Sequence, residues 1–255
     1  MGQGARGAAL FIALCVALAA NAAAGTLAGY RLLILDGVQV KWGATALGTG
    51  ATVTYAVTDA AQSFPGNRNC RGVAPLDGLL AASRIARGAF DAQLAAALAA
   101  WSAAADIRFV PGDPAKADIL IGAEADPYGR AFTNVSHKPA AAGEAATIER
   151  SVICLNPVQP WKIGFDGNLD VYDLRYTLTH ELGHAIGLDH PGVPGVLMDF
   201  RYTEAFANLQ PADIAGADRL YGPAEPLVAS GGDKAAGGAA VPLVNVSASI
   251  PPSNP

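Results

Sequence analysis

The sequence predicts an α/β (α+β) domain in which a sheet packs against helices. Three observations carry this: short runs rich in β-branched and aromatic residues separated by glycine, proline or aspartate, one long alanine-rich stretch with an apolar stripe, and a helix end punctuated by proline and glycine. At 255 residues the chain is long enough for a substantial core without unusual staples.

The chain opens with residues 1–24, a signal peptide in appearance. Arg6 gives a basic start, an apolar run follows from Ala8 to Ala20, and small residues at Ala20-Asn21-Ala22 and Ala22-Ala23-Ala24 suit cleavage. That run falls short of the ~20 apolar residues of a membrane-spanning helix, so the mature chain is expected to be secreted or periplasmic with no stable membrane anchor. The charge is −5, or −6 once Arg6 is removed, and lysine and arginine form no cluster. Nucleic acid is therefore not an expected partner.

Tyr30 to Trp42 and Ala51 to Val57 read as strands parted by a glycine-rich turn. From Ser83 to Ala104, Phe90, Leu94, Leu98 and Trp101 recur at helical spacing and give one buried stripe. Ile107 to Val110, Asp118 to Ile121, Arg130 to Val135 and Ser151 to Leu155 are four further short strands. Helical character returns at Tyr172 to Ile186 and at Ala212 to Tyr221, the latter opened by Pro211 and closed by Gly222. The main domain is expected over residues 25–225. Residues 226–255, rich in glycine, alanine, serine and proline, read as a flexible low-complexity tail.

The chemistry is concentrated in HELGHAIGLDH, which places three of the chain's four histidines within eleven residues. His180 and His184, four apart, leave one helix face a turn from each other, and Gly187 is placed to stop the helix in a left-handed conformation so that His190 approaches from outside. Three neutral imidazoles would hold one zinc with a fourth position left for water, as a catalytic site does. Glu181 projects about 100° from His180, better placed to reach a water on the metal than the metal itself. The chemistry this suggests is peptide-bond hydrolysis by a zinc-activated water with Glu181 as general base. Glu204 is the alternative third ligand, by analogy with zinc peptidases that take a glutamate from a second helix about twenty residues downstream, but Gly187 and His190 would then need a separate explanation.

HELGHAIGLDH followed by Val196-Leu197-Met198 resembles the metzincin pattern HExxHxxGxxH with its Met-turn. Within that clan the wording is similar to the matrixins, including bacterial secreted members. Trp42 with TVTYAV, the helix containing AAW, the ADILIGA segment and QPADIAGADRLYG appear in matrixin order. The resemblance implies a metzincin catalytic domain: a twisted mixed sheet of about five strands with two long helices, then a small C-terminal subdomain with the Met-turn and a terminal helix. It further implies zinc ligands at His180, His184 and His190, a general base at Glu181, the family turn glycine at Gly187, the Met-turn methionine at Met198, and a protein or peptide substrate. Animal matrixins hold a second, structural zinc with three more histidines. Only His137 remains here, so one zinc is expected. No tyrosine stands two residues after Met198, and Tyr202 reads as a pocket wall.

Export would remove Cys15 and leave Cys70 and Cys154 as an even pair in an oxidising setting, which predicts a disulfide. The stretch from Cys70 to Asp77 resembles the zinc-capping cysteine motif of matrixin propeptides, yet it follows TVTYAV where the family motif precedes the first catalytic strand. Asp166, Asn168 and Asp170 alternate as the early part of a calcium loop does, but Val171 and Thr177 break the later part, so calcium competes with a polar loop that caps the following helix. The competing function is a zinc-bearing, non-catalytic binding or structural protein. Retention of Glu181 beside all three ligands favours the enzyme. Substrate preference and oligomeric state are not legible in the sequence.

Overall fold

Apolar residues that alternate along short strands need a second layer to cover them, and an alanine-rich helix with one apolar stripe supplies it. In the computed structural model, which describes residues 29–224 apart from residue 142, that layer is Arg87–Ala104. It buries Phe90, Leu94, Ala97, Leu98, Trp101 and Ala104. The expected signal peptide and C-terminal tail lie outside the described residues.

The main sheet runs in the order Ile107–Pro111, Ala51–Val57, Ile119–Glu124, Ala146–Leu155 and Ala131–His137. The first four strands are parallel, and Ala131–His137 is antiparallel to its neighbour. These five are the mixed sheet that the matrixin resemblance implies, and the short strands Ile34–Leu35, Val38–Lys41, Gln62–Ser63 and Gly72–Ala74 extend it to nine. Ile119–Glu124 is buried at every position, as a central strand covered on both faces must be. Ala131–His137 has only partly buried or exposed residues and a single long ladder, to Ala146–Leu155, so its other edge faces a cleft.

Several expected boundaries shift for physical reasons. Tyr30 to Trp42 is not one strand but Arg31–Leu32, Ile34–Leu35 and Val38–Lys41. Asp36 and Gly37, with φ of 50° and 82°, turn the chain between the last two, as an Asp-Gly pair in a tight hairpin does. The long helix starts at Arg87 and not Ser83, because Arg84 has φ 55° and separates it from the short helix Asp77–Ala82. Ala146–Leu155 is twice the length read from SVICL, its first residues pairing in parallel with Val40 and Lys41.

Cys70 and Cys154 are joined, with their Cα atoms 5.7 Å apart. The bond ties the hairpin Gln62–Ser63/Gly72–Ala74 to the sheet. Cys70 is therefore engaged in the domain and not free to cap a metal.

Candidate metal centre

The helix Leu174–Ala185 carries the first two histidines, and side chains fix each of its ends. At the start, Asp173 accepts the Tyr176 amide at 2.7 Å with one oxygen and the Gly164 amide at 2.6 Å with the other. This, and not Asp166, Asn168 or Asp170, is the cap. At the far end, the orphan carbonyl of Ala185 accepts from Trp42 Nε1 (2.8 Å) and Ser151 Oγ (3.1 Å). The Ile186 carbonyl accepts from the Tyr221 hydroxyl at 2.6 Å.

Gly187 then has φ 104°, and a Cβ there would collide with the Val40 carbonyl oxygen. Both the reversal and the close approach require glycine. The chain turns into Leu188–Asp189, which pairs antiparallel with Arg31–Leu32, and the Leu33 amide donates to the Gly187 carbonyl at 2.8 Å. The third histidine thus arrives on a segment clamped by the N-terminal strand.

His180 donates Nδ1–H to the Leu197 carbonyl and His184 donates Nδ1–H to the Leu188 carbonyl, each at 2.8 Å. Carbonyls only accept, so both rings carry their proton on Nδ1 and present a bare Nε2. Those Nε2 atoms stand 3.0 and 3.1 Å from His190 Nε2. Two ligand bonds of about 2.05 Å meeting at a tetrahedral angle hold their donors about 3.3 Å apart. Two separations close to that value, with all three ligand atoms within 4.8 Å of one another, suit a divalent cation that prefers imidazole nitrogen. Burial lowers the pKa of all three rings, most strongly for His180, and His184 adds to the effect on His180 and His190. The rings are therefore neutral and ready to ligate.

Among the described residues these three are the one set of histidine, cysteine or acidic side chains gathered closely enough to hold an ion. Glu181 lies outside the set. Burial raises its carboxyl pKa, and Thr133 opposes this by holding Oε2 at 2.7 Å from its hydroxyl. Glu204 is also outside, engaged by Lys162 Nζ at 2.5 Å, the Tyr202 hydroxyl at 2.8 Å and the amides of Asp166 and Gly167. In the stretch considered for calcium, the Lys162 ammonium bonds Asp166, and Asn168 Oδ1 accepts the Asp170 amide.

Met198 lies buried beside the helix, where a Cβ on Gly183 would strike its thioether and approach Trp101 Cζ2 to 2.9 Å. Gly183 is thus the floor on which Met198 and Trp101 meet, and Trp101 Nε1 donates to the Thr179 carbonyl at 2.8 Å. Two supports have no signal in local spacing. Thr133 comes from the edge strand, and Asp213, buried on the helix Pro211–Tyr221, accepts the amides of Leu197 (2.8 Å), Met198 (3.1 Å) and Gln210 (2.8 Å). Asp213 thereby holds the Leu197 carbonyl that orients His180. Tyr202 lines the cleft as a wall, with its ring edge-on to Tyr172 and Tyr176.

The metal-capable set opens into a cleft of about 1330 Å³ between the free edge of Ala131–His137 and the segment carrying Phe200 to Tyr202. A family model described as matrixin, within the M10 peptidases, matches residues 80–222. Human matrix metalloproteinase-20 is 30% identical over 132 residues, covering 50% of this chain and 26% of the relative. Mouse matrilysin is 29% identical over 139 residues, covering 49% of this chain and 48% of the relative. A probable matrix metalloproteinase of invertebrate iridescent virus 3 is 36% identical over 74 residues, 28% of this chain and 19% of that protein. The chain spans about a fifth to a half of the length of these curated relatives.

Proposed function

The chain belongs to the matrixin family, and on that premise we propose that it is an exported zinc endopeptidase in which Glu181 is the general base. The observation that carries the proposal is the convergence of three imidazole Nε2 atoms, those of His180 and His184 bare, beside a buried carboxylate at the floor of an open strand edge.

His180, His184 and His190 would hold the metal through Nε2, with the carbonyls of Leu197 and Leu188 fixing the first two rings. Bound zinc supplies Lewis acidity, polarising a carbonyl and making a water more acidic. An extended peptide adds to the free edge of Ala131–His137 by backbone hydrogen bonds, which brings its scissile bond across the helix. Glu181 takes a proton from the attacking water and returns it to the departing amine nitrogen. Thr133 holds Oε2 of the buried Glu181 so that the other oxygen is the one left to move the proton. The Cys70–Cys154 bond supports export, since such bonds persist in oxidising compartments.

The test is digestion of an unfolded-protein peptide library by the purified zinc-loaded chain. Cleavage that stops on chelation and returns with one equivalent of zinc is expected. A fully loaded chain that cleaves no peptide would instead support a zinc-bearing binding protein.

A further inference from the structure

We propose that Arg130 reads a carboxylate on the substrate, so that this peptidase prefers acidic peptides; the inference rests on the function proposed above and names its substrate class. Arg130 immediately precedes the edge strand Ala131–His137 and lines the same cleft as the three histidines. Its guanidinium lies 5.3 Å from the Tyr172 ring centre and 5.6 Å from that of Tyr202. Cation–π contacts with two rings restrain the guanidinium and leave its N–H groups for recognition.

Those groups have no acceptor. Among the described residues Arg130 forms no ion pair, and its Nε is buried without a hydrogen-bond partner. Of the neighbouring acids only Glu181 keeps a free oxygen, and it forms no ion pair with Arg130. Both oxygens of Glu204 and both of Asp173 are taken by the partners described above, and Glu181 is bonded to Thr133. The terminal nitrogens of the fork have no partner among the described residues either, and they can donate to a ligand carboxylate in bidentate fashion, which offsets the cost of the desolvated guanidinium.

The rest of the cleft agrees in sign. Arg68 and Arg201 also line it without an ion-pair partner, and Asp189 is paired with Arg31. A cleft with three unpaired arginines on a chain of charge −5 attracts anionic segments that the remaining surface repels.

The test compares kcat/KM for matched quenched-fluorescence peptides carrying glutamate, glutamine or lysine at each position flanking the cleaved bond. Ratios within one enzyme cancel any general effect of a substitution on turnover. Wild type is expected to favour glutamate over glutamine by about tenfold at one position, with the ratio falling as salt rises. Arg130→Gln should bring that ratio near one with zinc content unchanged, and Arg130→Lys, which keeps the charge and loses the fork, should fall between. Arg68→Gln and Arg201→Gln should keep the tenfold ratio. Absence of the preference in wild type, or its survival in Arg130→Gln, overturns the proposal, as does its loss in Arg201→Gln alone. Should zinc-loaded wild type cleave no peptide, the peptidase reading fails first. Binding of fluorescent glutamate and glutamine peptides to the same protein then decides Arg130 separately, equal affinities overturning it.

Discussion

Replacing Gly183 by alanine sets two effects of opposite sign against each other. On helix preference alone, alanine should stabilise the interior of Leu174–Ala185 by about 1 kcal/mol. The added methyl, however, meets the Met198 thioether and stands 2.9 Å from Trp101 Cζ2. Met198 is flexible, but it and Trp101 are both buried, so neither has open space to retreat into. Overpacking of this kind costs about 1–3 kcal/mol. The net expectation is a loss of up to about 2 kcal/mol, or a fall in melting temperature of up to about 8 °C for a domain of this size. Thermal unfolding of the metal-free protein followed by circular dichroism measures it. Gly183→Ala combined with Met198→Ala should cost less than the sum of the two single changes, since the two side chains compete for one space. A higher melting temperature in Gly183→Ala than in wild type would refute the close packing of helix, Met198 and Trp101.

Three further outcomes follow from the supports of the site. Asp213→Ala leaves the amides of Leu197, Met198 and Gln210 without their acceptor and should cost at least about 3 kcal/mol in denaturant unfolding, with faster zinc release because the Leu197 carbonyl no longer holds His180. Reduction of Cys70–Cys154, which lie 84 residues apart, should lower stability by about 4–5 kcal/mol on the chain-entropy account, measured by urea unfolding with and without reductant. Burial pushes the Tyr176 phenol up to about 12 and raises Tyr221 as well, so the unfolded chain releases these protons first; stability should be full below pH 10 and fall as pH rises through 10 to 12, with unfolding and phenolate absorbance appearing together.

The metal-capable set was legible because it is local. His180 and His184 share a helix face, and Gly187 follows directly with the positive φ that its position demands. What the sequence hid lies in distant contacts. Thr133 reaches Glu181 across 48 residues, and Asp213 reaches Leu197 across 16. No periodicity marks a threonine or an aspartate for such a partner. Arg130 falls in the same class, since its setting is made by Tyr172 and Tyr202 from two other segments. The missed hairpin at Asp36-Gly37 is different. Its dipeptide is a strong turn signal, masked by the continuous apolar run around it. Ala146–Leu155 was read short because its first half pairs with Val40 and Lys41, residues that no local pattern links to it.

On the proposed function Glu181 moves a proton while three histidines hold the metal. Glu181→Gln keeps the side chain's size and its contact with Thr133 but removes the base. The measurement is peptide hydrolysis and zinc content on the same preparation. The expected result is one zinc per chain, as in wild type, with kcat lower by roughly 10²- to 10⁴-fold. Hydrolysis equal to wild type, or loss of the zinc, would contradict it.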